Sequence, residues 1–314
     1  MARAQGARAQ LLLAFESTYG TAPASGFTRI PFVRSTLGSE QPLIDSDLLG
    51  YGRDPLAPIK DALTADGEVS IPLDAHALGF WLKGAFGAPT TTDNGDGTFD
   101  HVFASGGWDL PSLAIEAGLP DLPRFAMYSG CVVDQLSWTM QRSGQLTGAV
   151  TLVAQNEAKA STTQGGTPAS IELARFGHFN GSIKREGSAL ANVTSAQVTY
   201  ANNLDRVETI RSDGLIAGAD PSVAALTGRI DARFADETLL DQALAGEACE
   251  LEFAYALADG SSFTLTAHAV YLPRPRVSIE GPQGVQVSFD WQAALAASPA
   301  RMATATLINE VASY

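Results

Sequence analysis

Glu68-Val69-Ser70-Ile71-Pro72-Leu73 decides the fold class, because polar and apolar residues alternate with the period of two that turns one face of a strand inward and the other to water. Asp74 follows as a helix cap, and Leu78, Trp81, Leu82 and Ala85 recur at helical spacing. Gly84 or Gly87 is the stop, where a left-handed residue is wanted. The same order returns at Arg229-Ile230-Asp231-Ala232-Arg233-Phe234, with Asp236 as cap, Leu239, Leu240, Ala243 and Leu244 as the stripe and Gly246 as the stop. Caps Asp74 and Asp236 stand as far apart in the chain as stops Gly84 and Gly246.

Working outward, Ser112 to Glu116 is answered by Glu250 to Phe253, and Arg124 to Val133 by Phe263 to Leu272. Each copy then closes with a hairpin. Leu136 to Met140 turns at Arg142-Ser143-Gly144 into Gln145 to Val153, and Arg276 to Glu280 turns at Gly281-Pro282-Gln283-Gly284 into Val285 to Trp291. Matches in one order along the chain point to an internal duplication. The first copy carries an insertion, with Asp93-Asn94-Gly95-Asp96-Gly97 as a tight turn and Thr98 to Phe103 as a strand, expected to protrude at the periphery. A Ser, Thr, Gly and Gln-rich linker runs from Ala158 to Gly166, followed by an extended stretch from Ile171 to Ile210. Leu11 to Tyr19 and Thr304 to Tyr314 read as terminal arms.

The totals agree with a sheet protein. In 314 residues, 45% are apolar and 17% charged, while Gly (30) and Pro (16) mark many turns. The formal charge is −14 and the longest basic run is Lys184-Arg185, so no cationic stripe is present to neutralise a row of phosphates. Arginine outnumbers lysine, a bias that a surface covered by partners and a GC-rich genome both produce. Cys131 and Cys249 are too isolated for a disulfide framework or metal cage and read as buried apolar residues in a reducing compartment. Arg3 and Arg8 resemble the start of an export signal, but the apolar run from Leu11 to Phe15 is too short to complete one. No membrane partner is expected.

Catalytic constellations are not legible. His76, His101, His178 and His268 lack companions at metal spacing. Asp93 to Gly97 has glycines where a calcium loop needs oxygen ligands. Gly50-Tyr51-Gly52-Arg53 lacks both the third glycine and the strand-to-helix frame of a dinucleotide site. Asp236, Glu237, Glu247 and Glu250 are accounted for by capping and solvation, and Asn192-Val193-Thr194 is a sequon only in a secreted chain. No catalytic residue, cofactor or metal is expected.

The polar strand faces are therefore the informative feature. Leu136, Trp138 and Met140 leave Gln135, Ser137 and Thr139 on the other side of their strand; Val287, Phe289 and Trp291 oppose Gln286, Ser288 and Asp290. Whole strands of short, uncharged or acidic groups suit a wetted wall to which nothing adheres. An ordinary solvated outer sheet reads the same way.

Three stretches carry a family resemblance: Arg3 to Arg8 leading to Phe15-Glu16-Ser17-Thr18-Tyr19-Gly20-Thr21, then Leu49 to Pro55, then Phe86-Gly87-Ala88-Pro89 through Leu110-Pro111-Ser112-Leu113. In these the chain resembles the tail tube (major tail) proteins of long-tailed, non-contractile bacteriophages, of the longer type with a duplicated tube fold. The resemblance implies a mainly β chain of two tandem β-sandwich, barrel-forming tube modules, each with one flanking helix. On that basis residues 1–57 are an N-terminal arm and extended segment, 58–157 the first module with its extra hairpin at 88–110, 158–220 a linker, 221–300 the second module and 301–314 a C-terminal arm. It implies a virion protein, made in the host cytoplasm, whose rings stack into a conduit for DNA ejection; the duplication, with two modules per chain, makes those rings trimeric with pseudo-sixfold symmetry. Gln135, Ser137, Thr139, Gln286, Ser288 and Asp290 then line the lumen. The implied partners are other copies of the chain, the tape measure protein in the lumen, tail terminator and tail tip proteins at the ends, and DNA in transit. The alternatives are a β-sandwich receptor- or glycan-binding tail component, which should display aromatic side chains on loops, and a glycan hydrolase with paired carboxylates.

Overall fold

Strict alternation over most of the chain produces strands, and among the described residues two segments form α-helices, α1 (Leu78–Phe86) and α2 (Thr238–Ala245). The computed structural model describes residues 3–279 and 281–314. The fold is mainly β, as the composition and periodicity imply.

One antiparallel sheet crosses the molecule. It begins with the short pieces Arg34–Ser35 and Gly38–Glu40, which pair with β2 (Thr64–Pro72). Most of the other strands are labelled in chain order: β3 (Thr90–Asp93), β4 (Phe99–Ala104), β5 (Leu113–Leu119), β6 (Arg124–Gln141) and β7 (Thr147–Ala154). β1 (Gln10–Phe15) precedes them; β8 (Asn156–Ala160), β9 (Gly181–Arg185), β10 (Val193–Ala201) and β11 (Ala225–Arg233) come next. β12 (Cys249–Ala256), β13 (Ser262–Tyr271), β14 (Gln286–Ala293) and β15 (Ala303–Asn309) complete the set. The crossing sheet runs β2, β7, the C-terminal part of β6, β10, β11, β14.

Two further layers cover its apolar face. In one, β1 pairs with β5, β5 with the N-terminal part of β6, and that part of β6 with β8. In the other, β9 pairs with β12, β12 with β13, and β13 with β15. The same succession of pairings thus occurs in each half of the chain. A single apolar cluster fills the space between the layers, from Leu11, Leu13 and Ile115 in one cover to Phe253, Leu265 and Ala305 in the other, with Val69, Leu136, Val150, Ile230 and Phe289 from the crossing sheet. Phe86 of α1 stacks on Tyr200 of β10 at 4.1 Å between ring centroids, and Trp138 meets Phe263 edge-on at 5.6 Å, so aromatic contacts join the halves. Buried Asn202 donates to the Ala85 and Val133 carbonyls at 3.0 and 2.8 Å, tying the end of α1 to β6.

β6 belongs to both layers, and the change of layer falls at Gly130, whose φ of +63° favours glycine. A Cβ there would also lie 2.7 Å from that of Gln155. Glu16 holds the bend: its carboxylate accepts from Gly130 N–H and Gly20 N–H, each at 2.9 Å, and from the Ser112 hydroxyl at 2.7 Å. This accounts physically for the stretch Phe15 to Thr21.

Several expectations change. Asp74 does not cap α1 directly; its Oδ1 accepts from His76 and Ala77 N–H in the turn before the helix, whereas Asp236, one residue before the N-cap Glu237, accepts from the N–H of Thr238, the first residue of α2. α1 stops at Gly87, whereas Gly84 lies within the helix against Val133, where a Cβ would approach a methyl group to 2.7 Å. The equal spacing of stops is therefore lost, although Gly246 does end α2 with φ +68°. Leu244 is exposed instead of joining the stripe. Residues 276–279 form no strand, and Glu280 lies outside the described residues. The insertion does not protrude freely: β3 and β4 form its hairpin, and β4 pairs with β15, extending the second cover. Both expected arms contain cover strands, β1 and β15, and the stretch from Ala158 begins inside β8.

Replacing Glu16 with Ala leaves the Gly130 and Gly20 donors and the Ser112 hydroxyl without their acceptor. Denaturant unfolding should show a loss of about 3 kcal/mol, in the range for hydrogen bonds to a charged group.

Candidate functional site: a polar sheet face

Facing residues of neighbouring strands project to the same side of a sheet, so the pairings define rows across the crossing sheet. One row is Ser70, Ala149, Ser137, Thr199, Thr227 and Gln292. A second contains Thr139, Gln197, Arg229 and Asp290, and a third Gln141, Ser195, Asp231 and Ser288. All six residues selected from the sequence fall on this face: Gln135, Ser137 and Thr139 on β6, and Gln286, Ser288 and Asp290 on β14. β10 and β11 lie between the two groups and supply its centre. Ser195, Gln197 and Thr199 were not among the candidates, although Ser195-Ala196-Gln197-Val198-Thr199-Tyr200 alternates as strictly as the segments that were.

The opposite face of these strands is core. Leu136, Trp138, Val150, Val198, Ile230, Phe289 and Trp291 are each 5% exposed or less, which fixes the register, since a one-residue slip would carry the polar set inward. Gly228 lies where β10 and the Trp291 indole close over it, leaving no room for a Cβ.

Two cations of the polar face are held by carboxylates. Arg34 lies 3.0 Å from Glu68. Arg229 Nε donates to Asp231 Oδ1 at 2.9 Å, Nη2 donates to Ser288 Oγ at 2.6 Å, and Nη1 lies 3.8 Å from Asp290. Ser195 and Ser288 both donate to the Asp231 carboxylate, at 2.7 and 2.5 Å. Burial alone would raise the Asp231 carboxyl, but hydrogen bonds from Ser288, Ser195 and Arg229 outweigh it and hold the group below the ordinary carboxylate range. The hydrogen bond to Asp231 likewise raises the Arg229 guanidinium. The result is a broad, hydroxyl- and amide-rich surface whose Arg34 and Arg229 cations are engaged by neighbouring carboxylates.

The histidines stand apart and serve local packing. His101 is buried, within hydrogen-bond reach of the Thr91 hydroxyl at 2.9 Å and the Val311 carbonyl at 2.8 Å; His268 lies 3.2 Å from Glu250 and 2.8 Å from the Thr304 hydroxyl. Cys131 and Cys249 are buried free thiols. Among the described residues no group of His, Cys, Asp and Glu is placed to hold a metal ion, and no helix is long and apolar enough to cross a membrane. Trp81, Trp138 and Trp291 are in the core, and Trp108 is 70% exposed on a loop.

A carboxyl held low in the folded state contributes stability above its unfolded pKa and loses it as pH falls through the folded value. Asp231→Asn should therefore lower the melting temperature at pH 7, with the gap to the parent chain narrowing as pH falls below the ordinary carboxylate value of about 4. Thermal unfolding followed across that range checks the sign.

None of the curated proteins compared with the chain matches it. A family model described as phage tail tube protein matches residues 6–293, nearly the whole length. That match, over a mainly β chain whose crossing sheet carries a largely polar face, places this protein in the phage tail tube family, as a structural component of a virion tail.

Proposed function

We propose that the chain is a tandem pair of tube modules that assembles into rings, which stack into a conduit for DNA, and that the polar face of the crossing sheet lines the lumen. The observation that carries this reading is the continuity of that face through both halves, from Ser70 across Ser137 and Thr199 to Gln292. A wall that must pass a polyanion without retaining it should offer hydrogen-bonding groups and few available cations, and here Arg229 is engaged by Asp231 and Asp290.

The duplication is supported by the recurrence of pairings. β1 on β5, β5 on β6 and β6 on β8 match β9 on β12, β12 on β13 and β13 on β15; likewise β2 on β7 matches β11 on β14. The modules then reach beyond 58–157 and 221–300: β1 completes the first cover, β9 and β15 complete the second, and β10 of the stretch expected as a linker belongs to the second half of the crossing sheet. Two modules occupy two neighbouring wall positions, so a ring closed elsewhere by six single modules closes with three chains. Such closure needs a head-to-tail interface, module one docking on module two both within and between chains. The hairpin of β3 and β4 lies on only one module's cover and reduces the periphery to threefold symmetry. The lumen holds the tape measure protein before ejection, and the terminator and tip proteins bind the tube ends. The chain is synthesised in the host cytoplasm and acts without catalysis.

Negative-stain images of the purified protein should show rings or hollow tubes, with threefold features in ring averages. Six equal outer features at one chain each would refute the trimer. Ser137→Arg with Thr227→Arg should leave tubes assembled while reducing DNA delivery, because both side chains would present free guanidinium groups to phosphate. No single Asp, Glu, His or Cys substitution should abolish function by removing chemistry; a hydrolytic activity lost with one carboxylate while assembly is intact would overturn the structural reading.

A further inference from the structure

The two halves of the crossing sheet are unequally complete. In the first half, β6 pairs with β7 on one side and with β10 on the other, over Gln135–Gln141. β14 is the counterpart of β7, because Gln286 faces Arg233 of β11 as Thr147 faces Pro72 of β2. Yet on its outer side β14 is paired, among the described residues, only through Gln292 and Ala293 with Tyr271 and Val270. Residues 272–279, which should continue that pairing, form no strand. Their sequence nevertheless alternates, and Val277 and Ile279 are 40% and 81% exposed. Pro273 and Pro275 lack the N–H of a ladder, so the start of such a segment makes fewer ladder hydrogen bonds than the rest.

The opposite end of the sheet is equally unfinished. Arg34–Ser35 and Gly38–Glu40 are counterparts of β10, since Arg34 faces Ser70 of β2 as Ser195 faces Asp231 of β11. β10 is paired on both sides; the 34–40 pieces, among the described residues, are paired only with β2. Interrupted, short edges of this kind resist indiscriminate pairing.

We infer that residues 274–279 become the closing strand of the wall on assembly, and that the strand they pair with is residues 35–40 of a second copy of this chain. This rests on the tandem-module reading above. The internal β6–β10 ladder is then the template for the contact between subunits. It faces Gln135 with Ala201, Ser137 with Thr199 and Trp138 with Val198. β6 carries a one-residue bulge between Val133 and Gln135. The same bulge after Tyr271 turns Val277 toward the apolar side, with Val287. Carried over through the counterparts, the template sets Arg274 opposite Glu40, Arg276 opposite Gly38 and Val277 opposite Leu37. Opposite charges thus meet directly across the ladder, and an exposed Val277 gains an apolar neighbour, both favourable cross-strand pairs.

The test uses the full chain carrying Arg274→Cys and Glu40→Cys, assembled and then treated with a short bifunctional thiol reagent. Covalent chain-to-chain products should appear in tubes and not in unassembled subunits, and the out-of-register pair Ile279→Cys with Glu40→Cys should give none. Arg274→Glu alone should raise the concentration needed for assembly about 5-fold, and Arg274→Glu with Glu40→Arg should restore it. Normal assembly of Arg274→Glu with no product from Arg274→Cys and Glu40→Cys would overturn the proposed contact while leaving the tube reading intact. Failure of the unsubstituted chain to form tubes would overturn that reading, and this contact with it.

Discussion

The ladder between Gln135–Gln141 and Ser195–Ala201 is the constraint on which the molecule depends. Backbone groups must be paired wherever they are taken from water, and β6 and β10 satisfy that requirement by joining two halves of one sheet. Because facing residues share a side, the ladder also aligns the polar face of one half with that of the other. Any offset by one residue would bury Ser137 and Thr199 and expose Trp138 and Val198. The aromatic contacts of Phe86 with Tyr200 and Trp138 with Phe263 reinforce the same seam from the core side.

A second constraint acts on β6 itself, which must leave a covering layer and enter the crossing sheet without a break. Gly130 supplies the backbone conformation, and Glu16 gathers the donors exposed by the bend. The core and the polar face are thereby coupled: the apolar side fixes register, and register determines which side chains line the other surface. On that surface the Asp231 network engages Arg229, so a face with both signs of charge offers few open contacts to an anion.

Much of this architecture is legible in the sequence. Alternation in Glu68 to Leu73 and Arg229 to Phe234 locates the equivalent strands, and the spacing of Leu78, Trp81, Leu82 and Ala85 locates the helix. All six candidate polar residues share one face because period-two alternation is local and survives folding. What is not legible depends on contacts between distant segments. Gly84 looks like a helix stop but exists because Val133 packs against it. Residues 276–279 carry a strand pattern, but a strand needs a partner as well as a pattern. Ser195 to Tyr200 was readable as an extended stretch, whereas its place at the centre of the sheet follows only from long-range pairing. The role of Glu16 had no signal in spacing, since its partners Ser112 and Gly130 lie far along the chain.

The central claim is that the face shared by Ser137, Thr199 and Arg229 surrounds the channel. A three-dimensional reconstruction of the assembled tube, at a resolution that separates strands, measures this directly. The account predicts these side chains on the inner wall, with strands running from one chain into the next around the ring. Finding the same face on the outer surface, or against solvent between separate subunits, would contradict it.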